Sequence, residues 1–194
     1  MNLIERVKNI LLTPKTEWDV INGETATTQS LSMGYVLPLS IVAAVGTLLK
    51  GFLFAGTIGL NFFIITAVVA FIAAIISFFV TVIIVDMLAP SFGSEKNMGK
   101  SAQLVAYSGT PLYIGGLLSF IPVIGGIIAL AAWAYGIYLM YLGIGPLKKT
   151  PEDKKVVYMI VSFLIMIVLY FILIAILGAV IFTAVGITAG GFPG

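Results

Sequence analysis

The run Ala102–Gly145 reads AQLVAYSGTPLYIGGLLSFIPVIGGIIALAAWAYGIYLMYLGIG, with no formal charge anywhere in it. It is too long for one membrane helix and right for two, since a span takes roughly 20 apolar residues. Pro122 lies near its middle, with Gly115-Gly116 on one side and Gly125-Gly126 on the other. The stretch therefore predicts a tight helical hairpin in lipid.

The rest of the chain agrees with a membrane setting. Its 194 residues are 60% hydrophobic and 9% charged, where a soluble domain carries about 25% charged residues. Mean hydropathy is +1.16. The net charge of +2 is too small to argue for nucleic acid. The chain has no cysteine and no histidine. That removes disulfides, thiolate nucleophiles and the commonest proton shuttle and metal ligand. No cofactor or metal site is expected. The first residues carry Glu5, Arg6, Lys8, Lys15, Glu17, Asp19 and Glu24 without an apolar core. They do not read as a cleavable signal, and the first span should act as the targeting signal.

Working outward, residues 1–12 place Leu3, Ile4, Val7, Ile10 and Leu11 at helical spacing, with Glu5, Arg6, Lys8 and Asn9 largely opposite. This predicts an amphipathic helix lying in the membrane interface or packed on the protein's own loops. Thr13-Pro14 ends it and starts a second short helix, with Trp18 as an interfacial anchor. Residues 1–30 form this cytosolic segment, and residues 31–186 a five-helix membrane domain. Its spans are expected at about 31–53, 59–88, 101–119, 123–144 and 156–183, with a Gly-rich tail at 187–194. Lys50 and Asp86 sit near span ends and should reach the hydrated interface. Ala67, Ala70, Ala74, Ser77 and Thr81 make a small-residue stripe along the second span. Ala175 and Ala179 make a shorter one in the fifth. Such stripes let another helix approach closely.

The positive-inside rule fixes an orientation. With the N-terminus cytosolic, Arg6, Lys8, Lys15, Lys96, Lys100, Lys148, Lys149, Lys154 and Lys155 all fall on the cytosolic side. Only Lys50 lies across the membrane. The C-terminus is then non-cytosolic.

Little in the chain reads as chemistry. The spans hold no carboxylate or histidine at mid-depth, where ion-coupled transporters place them. The chain has no P-loop, no metalloprotease helix and no nucleophile elbow. Glu152-Asp153 reads as a hydrated pair in a lysine-rich loop. Pro111 should kink the third span, with Ser108 and Thr110 satisfying freed carbonyls. A path past Tyr107, Ser108, Thr110, Pro111, Tyr113, Gly115, Gly116, Pro122, Gly125 and Gly126 is the place to look for a solute. Close helix packing is the plainer reading of those glycines.

Certain residues carry a resemblance. Pro14-x-x-x-Trp18-x-x-Ile21 precedes a first span with Tyr35 and Pro38. Later come Ala106-Tyr107-Ser108-Gly109-Thr110-Pro111, Ile121-Pro122 and Tyr138-Leu139-x-Tyr141-Leu142-Gly143. In this order and spacing they resemble the bacterial branch of the Yip family, the Ypt/Rab-interacting membrane proteins. The resemblance covers nearly the whole chain and implies five spans with a cytosolic N-terminus. Eukaryotic members work in vesicle traffic with prenylated Rab-type GTPases. Here the cytosolic segment is short, and Asp86-Met87-Leu88-Ala89-Pro90 stands where an Asp-Leu-Tyr-Gly-Pro motif would be. A Rab partner is therefore not expected, and the bacterial cytoplasmic (inner) membrane is the expected location. The overall expectation is an all-α, polytopic, non-enzymatic membrane protein. It would act as a scaffold that assembles with itself or other membrane proteins, with a small channel or transporter as the alternative.

Overall fold

The computed structural model describes residues 2–184, and over them the chain is all helical, with no strand. Helix α1, Leu3–Leu12, is opened by the Asn2 side chain, which accepts the Glu5 N–H at 2.8 Å. The Thr13 hydroxyl turns back to the Asn9 carbonyl and closes α1. Pro14, which has no N–H to leave unpaired, then begins α2, Pro14–Gly23. A Thr27/Ser30 capping box starts the short α3, Thr28–Leu31. It runs through a π-helical turn at Ser32–Val36 into α4, Leu37–Ile58.

Gly59 has φ +89° and separates α4 from α5, Leu60–Leu88. A turn was expected over 54–58, but helix continues to Ile58. Only the glycine adopts this backbone cheaply, so the break waits for it. After a 3₁₀ turn at Ala89–Phe92, Asn97 caps α6, Met98–Ser108. The expected third span is interrupted. Helix α6 stops at Gly109, and α7, Thr110–Leu117, begins anew with Pro111 in its first turn. The Thr110 hydroxyl donates to the Tyr107 carbonyl at 2.7 Å, capping a group that the break frees.

The hairpin turn is three residues long. The Ile124 N–H reaches the Pro122 carbonyl at 2.6 Å across Val123, whose φ is +64°. Helix α8 then runs Ile124–Lys148 and α9 runs Glu152–Ala184. The charged loop expected at 145–155 is thus much shorter, because α8 passes straight through Pro146 and ends at Lys149 in a left-handed cap. The tail at 187–194 lies outside the described residues.

Among the described residues, four stretches are long and apolar enough to cross a membrane: Thr28–Phe54, Leu60–Phe92, Ile124–Lys148 and Glu152–Val180. Helices α4, α5, α7 and α8 pack side by side, with α9 along α5. The core is not spread evenly along them. Ile10, Trp18, Ile21, Tyr35, Val85, Leu104, Tyr107, Leu139, Ile144 and Tyr158 are all buried, and they gather where α1, α2 and α6 pack around the ends of the long helices.

Candidate functional site

Two polar clusters sit in this packed end. The first joins the N-terminal hairpin to α6. Arg6 is 5% exposed. It donates to Glu17 at 2.5 Å and to both carboxylate oxygens of Glu24 at 2.5 and 2.6 Å. Its guanidinium lies 5.1 Å from the centre of the Tyr107 ring. Three fixed partners suit a rigid planar fork, and the ring face adds cation–π attraction. Lys100 Nζ donates to the carbonyls of Asn22 and Glu24 at 2.7 and 2.9 Å, closing the end of α2. Burial draws the Lys100 pKa down, and the Glu24 carboxylate opposes that. Gln103 Nε2 donates to the Ile21 and Glu24 carbonyls at 3.3 and 3.2 Å.

Aromatic rings extend this cluster inward. Tyr107 meets Trp18 edge-on at 6.3 Å and Tyr35 at 4.8 Å. The Tyr35 hydroxyl and the Thr110 hydroxyl are 2.7 Å apart. Tyr107, Thr110 and Pro111 are all buried.

The second cluster ties three helix ends together. Asp86, 2% exposed, closes α5. One of its oxygens accepts from the Asn97 N–H at 2.8 Å, the Ser101 hydroxyl at 3.0 Å and Lys148 Nζ at 3.0 Å. Lys148 is fully buried and also donates to the Asn97 carbonyl and the Ser101 hydroxyl. Its three protons thus have three acceptors. The Tyr158 hydroxyl adds α9 by donating to the Val85 carbonyl.

Small residues then set the helix spacing. A methyl at Gly116 would come within 2.9 Å of Ala43 Cβ, one at Gly115 within 3.0 Å of Ala132 Cβ, and one at Gly125 within 2.8 Å of the Ser119 carbonyl oxygen. One at Gly143 would come within 2.8 Å of the Trp18 ring. The hairpin glycines are thus mostly contact points; only Gly126 has nothing near it.

The matches to the sequence expectations are mixed. Trp18 was expected in the headgroup layer but is 1% exposed, because α2 turns it onto the Gly143 notch rather than outward. Asp86 was expected to be hydrated but is buried, because Lys148 and the start of α6 close over it. Lys50 is exposed. Of the second-span stripe, Ala67 is buried, Ala74, Ser77 and Thr81 are half-buried, and Ala70 faces outward. Ala175 and Ala179 are exposed. Ser77, Thr81, Ser108 and Tyr113 edge a lateral cleft of about 180 Å³ beside the Gly109 break. Arg6, Glu17, Lys100, Gln103 and Lys148 were not singled out. Lys148 had a signal: it continues the buried register Met140–Ile144 by one more turn.

The stretches that carried the resemblance lie far apart in sequence, yet Trp18, Tyr35, Tyr107 and Thr110 meet in one place. The Yip1 domain matches residues 8–176. The chain belongs to the Yip1 family. No match was found among curated proteins or solved structures. In this Yip1 domain the matched region takes in all four membrane-crossing stretches for nearly their whole length. No group of three or more carboxylates or other metal ligands is placed to hold a metal ion among the described residues.

Proposed function

We propose that this Yip1-family protein is a non-enzymatic membrane scaffold with five transmembrane segments, the interrupted α6–α7 pair counting as one. Its N-terminus is cytosolic, its C-terminus is across the membrane, and the bacterial cytoplasmic membrane is its location. Its partners are the bilayer and other membrane proteins or further copies of itself; nucleic acid and Rab-type GTPases are not among them. One observation carries this reading. The buried charged groups are used up in holding the fold together, while the outward small residues Ala70, Ala175 and Ala179 remain on lipid-facing helices. Close helix approach in lipid uses such residues. Ala70→Leu with Ala74→Leu should break up the assembly recovered by mild-detergent pull-down, with intact mass as readout. Wild-type assembly in that variant would remove this interface from the proposal. A reporter fused after Gly194 should be inactive in the cytosol, and cytosolic activity would rule out five spans.

A second reading has its own observation. The cleft beside the Gly109 break holds the Ser77, Thr81 and Ser108 hydroxyls in an otherwise apolar lining, which suits a small neutral solute. Solute flux into liposomes, lost on closing the cleft with Gly136→Leu, would favour transport. Silence across a broad solute panel would leave the scaffold.

A further inference from the structure

The position of the N-terminal hairpin along α8 gives its depth. The Tyr135 hydroxyl donates to the Leu11 carbonyl at 2.7 Å. The Leu11 side chain shares a pocket with Pro111, Ile114, Ile128 and Ala131. The end of α1 therefore lies against the middle of the α7–α8 hairpin, not against its charged end. Tyr135 is roughly 17 Å along α8 from Ile124 and roughly 20 Å from Lys148, at about 1.5 Å per residue. A hydrocarbon layer is about 30 Å thick. The far boundary has its own marker. Gly46 touches the Gly116 and Leu117 backbone, so exposed Lys50, one turn further on, is near the level of the Pro122 turn. With that boundary at the hairpin turn, Tyr135 and Leu11 lie near the middle of the bilayer.

The surface chemistry of the hairpin fits the depth. Ile4 and Leu12 are 80% and 69% exposed, one on each side of Lys8 along the outer stripe of α1. Val20 on α2 is 51% exposed. In water these residues would form an unsupported apolar edge. Lys8 and Lys15 are exposed and enter no ion pair among the described residues. The long Lys8 stem, further up α1, can carry its ammonium group toward lipid phosphates. Arg6 on the inner face is paired with both Glu17 and Glu24.

We propose that α1 and α2 form a re-entrant hairpin embedded in one leaflet, with Leu11–Leu12 near the bilayer centre and phospholipid acyl chains covering Ile4, Leu12 and Val20. This rests on the membrane-spanning reading of the long helices and goes beyond an interfacial helix, which would stay at headgroup level.

Because the chain has no cysteine, single labels test it without background. Leu12→Cys and Ala134→Cys would each carry a fluorophore in nanodiscs of phosphatidylcholine and phosphatidylglycerol. Doxyl quenchers would sit either near the lipid headgroup or at the acyl-chain end. Both positions are exposed, so neither substitution disturbs a packed contact. The expected result is that both labels lose most emission to the chain-end quencher and resist aqueous iodide. Strongest quenching of the Leu12→Cys label by iodide or by the headgroup-level quencher, with Ala134→Cys still quenched by the chain end, overturns the hairpin placement alone. Iodide quenching of Ala134→Cys overturns the membrane-spanning reading, and the hairpin placement with it.

Discussion

The two ends of the bundle are built differently. At the end holding α1, α2 and α6, seven consecutive positions from Ser101 to Tyr107 include only one that is not buried, and two ion-pair clusters cross-link five helices. At the opposite end α4 and the α7–α8 hairpin are joined by close small-residue contacts, and large side chains such as Phe52, Val123 and Ile127 face outward. The difference follows from the solvent. Lipid is as apolar as leucine, so helix faces in the hydrocarbon gain little by turning inward. Specific order there comes from close fit. At the end holding α1, α2 and α6, paired and hydrogen-bonded charges add a second source of order to that fit.

Perturbing each end separately tests this contrast. Lys148→Met leaves Asp86 buried without its cation. It should cost about 3–5 kcal/mol, read as a large fall in thermal midpoint in detergent. Adding Asp86→Asn should recover part of the loss. A near-wild-type midpoint for the single variant would mean that this end is not where stability is concentrated. Gly143→Leu should cost about 1–3 kcal/mol by forcing the Trp18 ring out of its notch. In a Trp133→Phe background, Trp18 emission should shift to the red. Unchanged emission would show that α2 does not depend on the notch. Tyr35→Phe removes one hydroxyl while Thr110 keeps its bond to the Tyr107 carbonyl, so a loss of about 1 kcal/mol is expected. A much larger loss would make the aromatic cluster the dominant lock. Val123→Gly acts at the other end and in the opposite direction. It relieves a branched residue held at φ +64° and should gain about 1 kcal/mol. A drop in midpoint there would show that the hairpin turn is held by more than its backbone.

What the sequence made legible follows the same division. Long apolar helices are a local property, so α4, α5, α8 and α9 could be read from hydropathy; the residues around Pro111 predict only a kink, where the helix is in fact interrupted at Gly109. Of the hairpin glycines, Gly115, Gly116 and Gly125 have close neighbours and Gly126 has none, a distinction that the sequence pairs do not carry. The fates of Trp18, Asp86 and Lys148 were not legible, since each is decided by a residue distant in the chain: Gly143 for Trp18, and Asp86 and Lys148 for each other. Hydropathy treats a lysine beside Lys149 as solvated. Only the helical register, carried one turn past Ile144, places Lys148 inward.

The hairpin of α1 and α2 also gives the molecule a taper. A plane through Trp18 and Gly143 cuts these two helices in addition to the long ones, whereas a plane near the Pro122 turn cuts neither. Each helix of about 10 Å diameter occupies on the order of 80 Å². The protein therefore takes up more lateral area on one side of its midline than on the other. With the hairpin embedded as proposed, a body of that shape would fit best among lipid layers of unequal area.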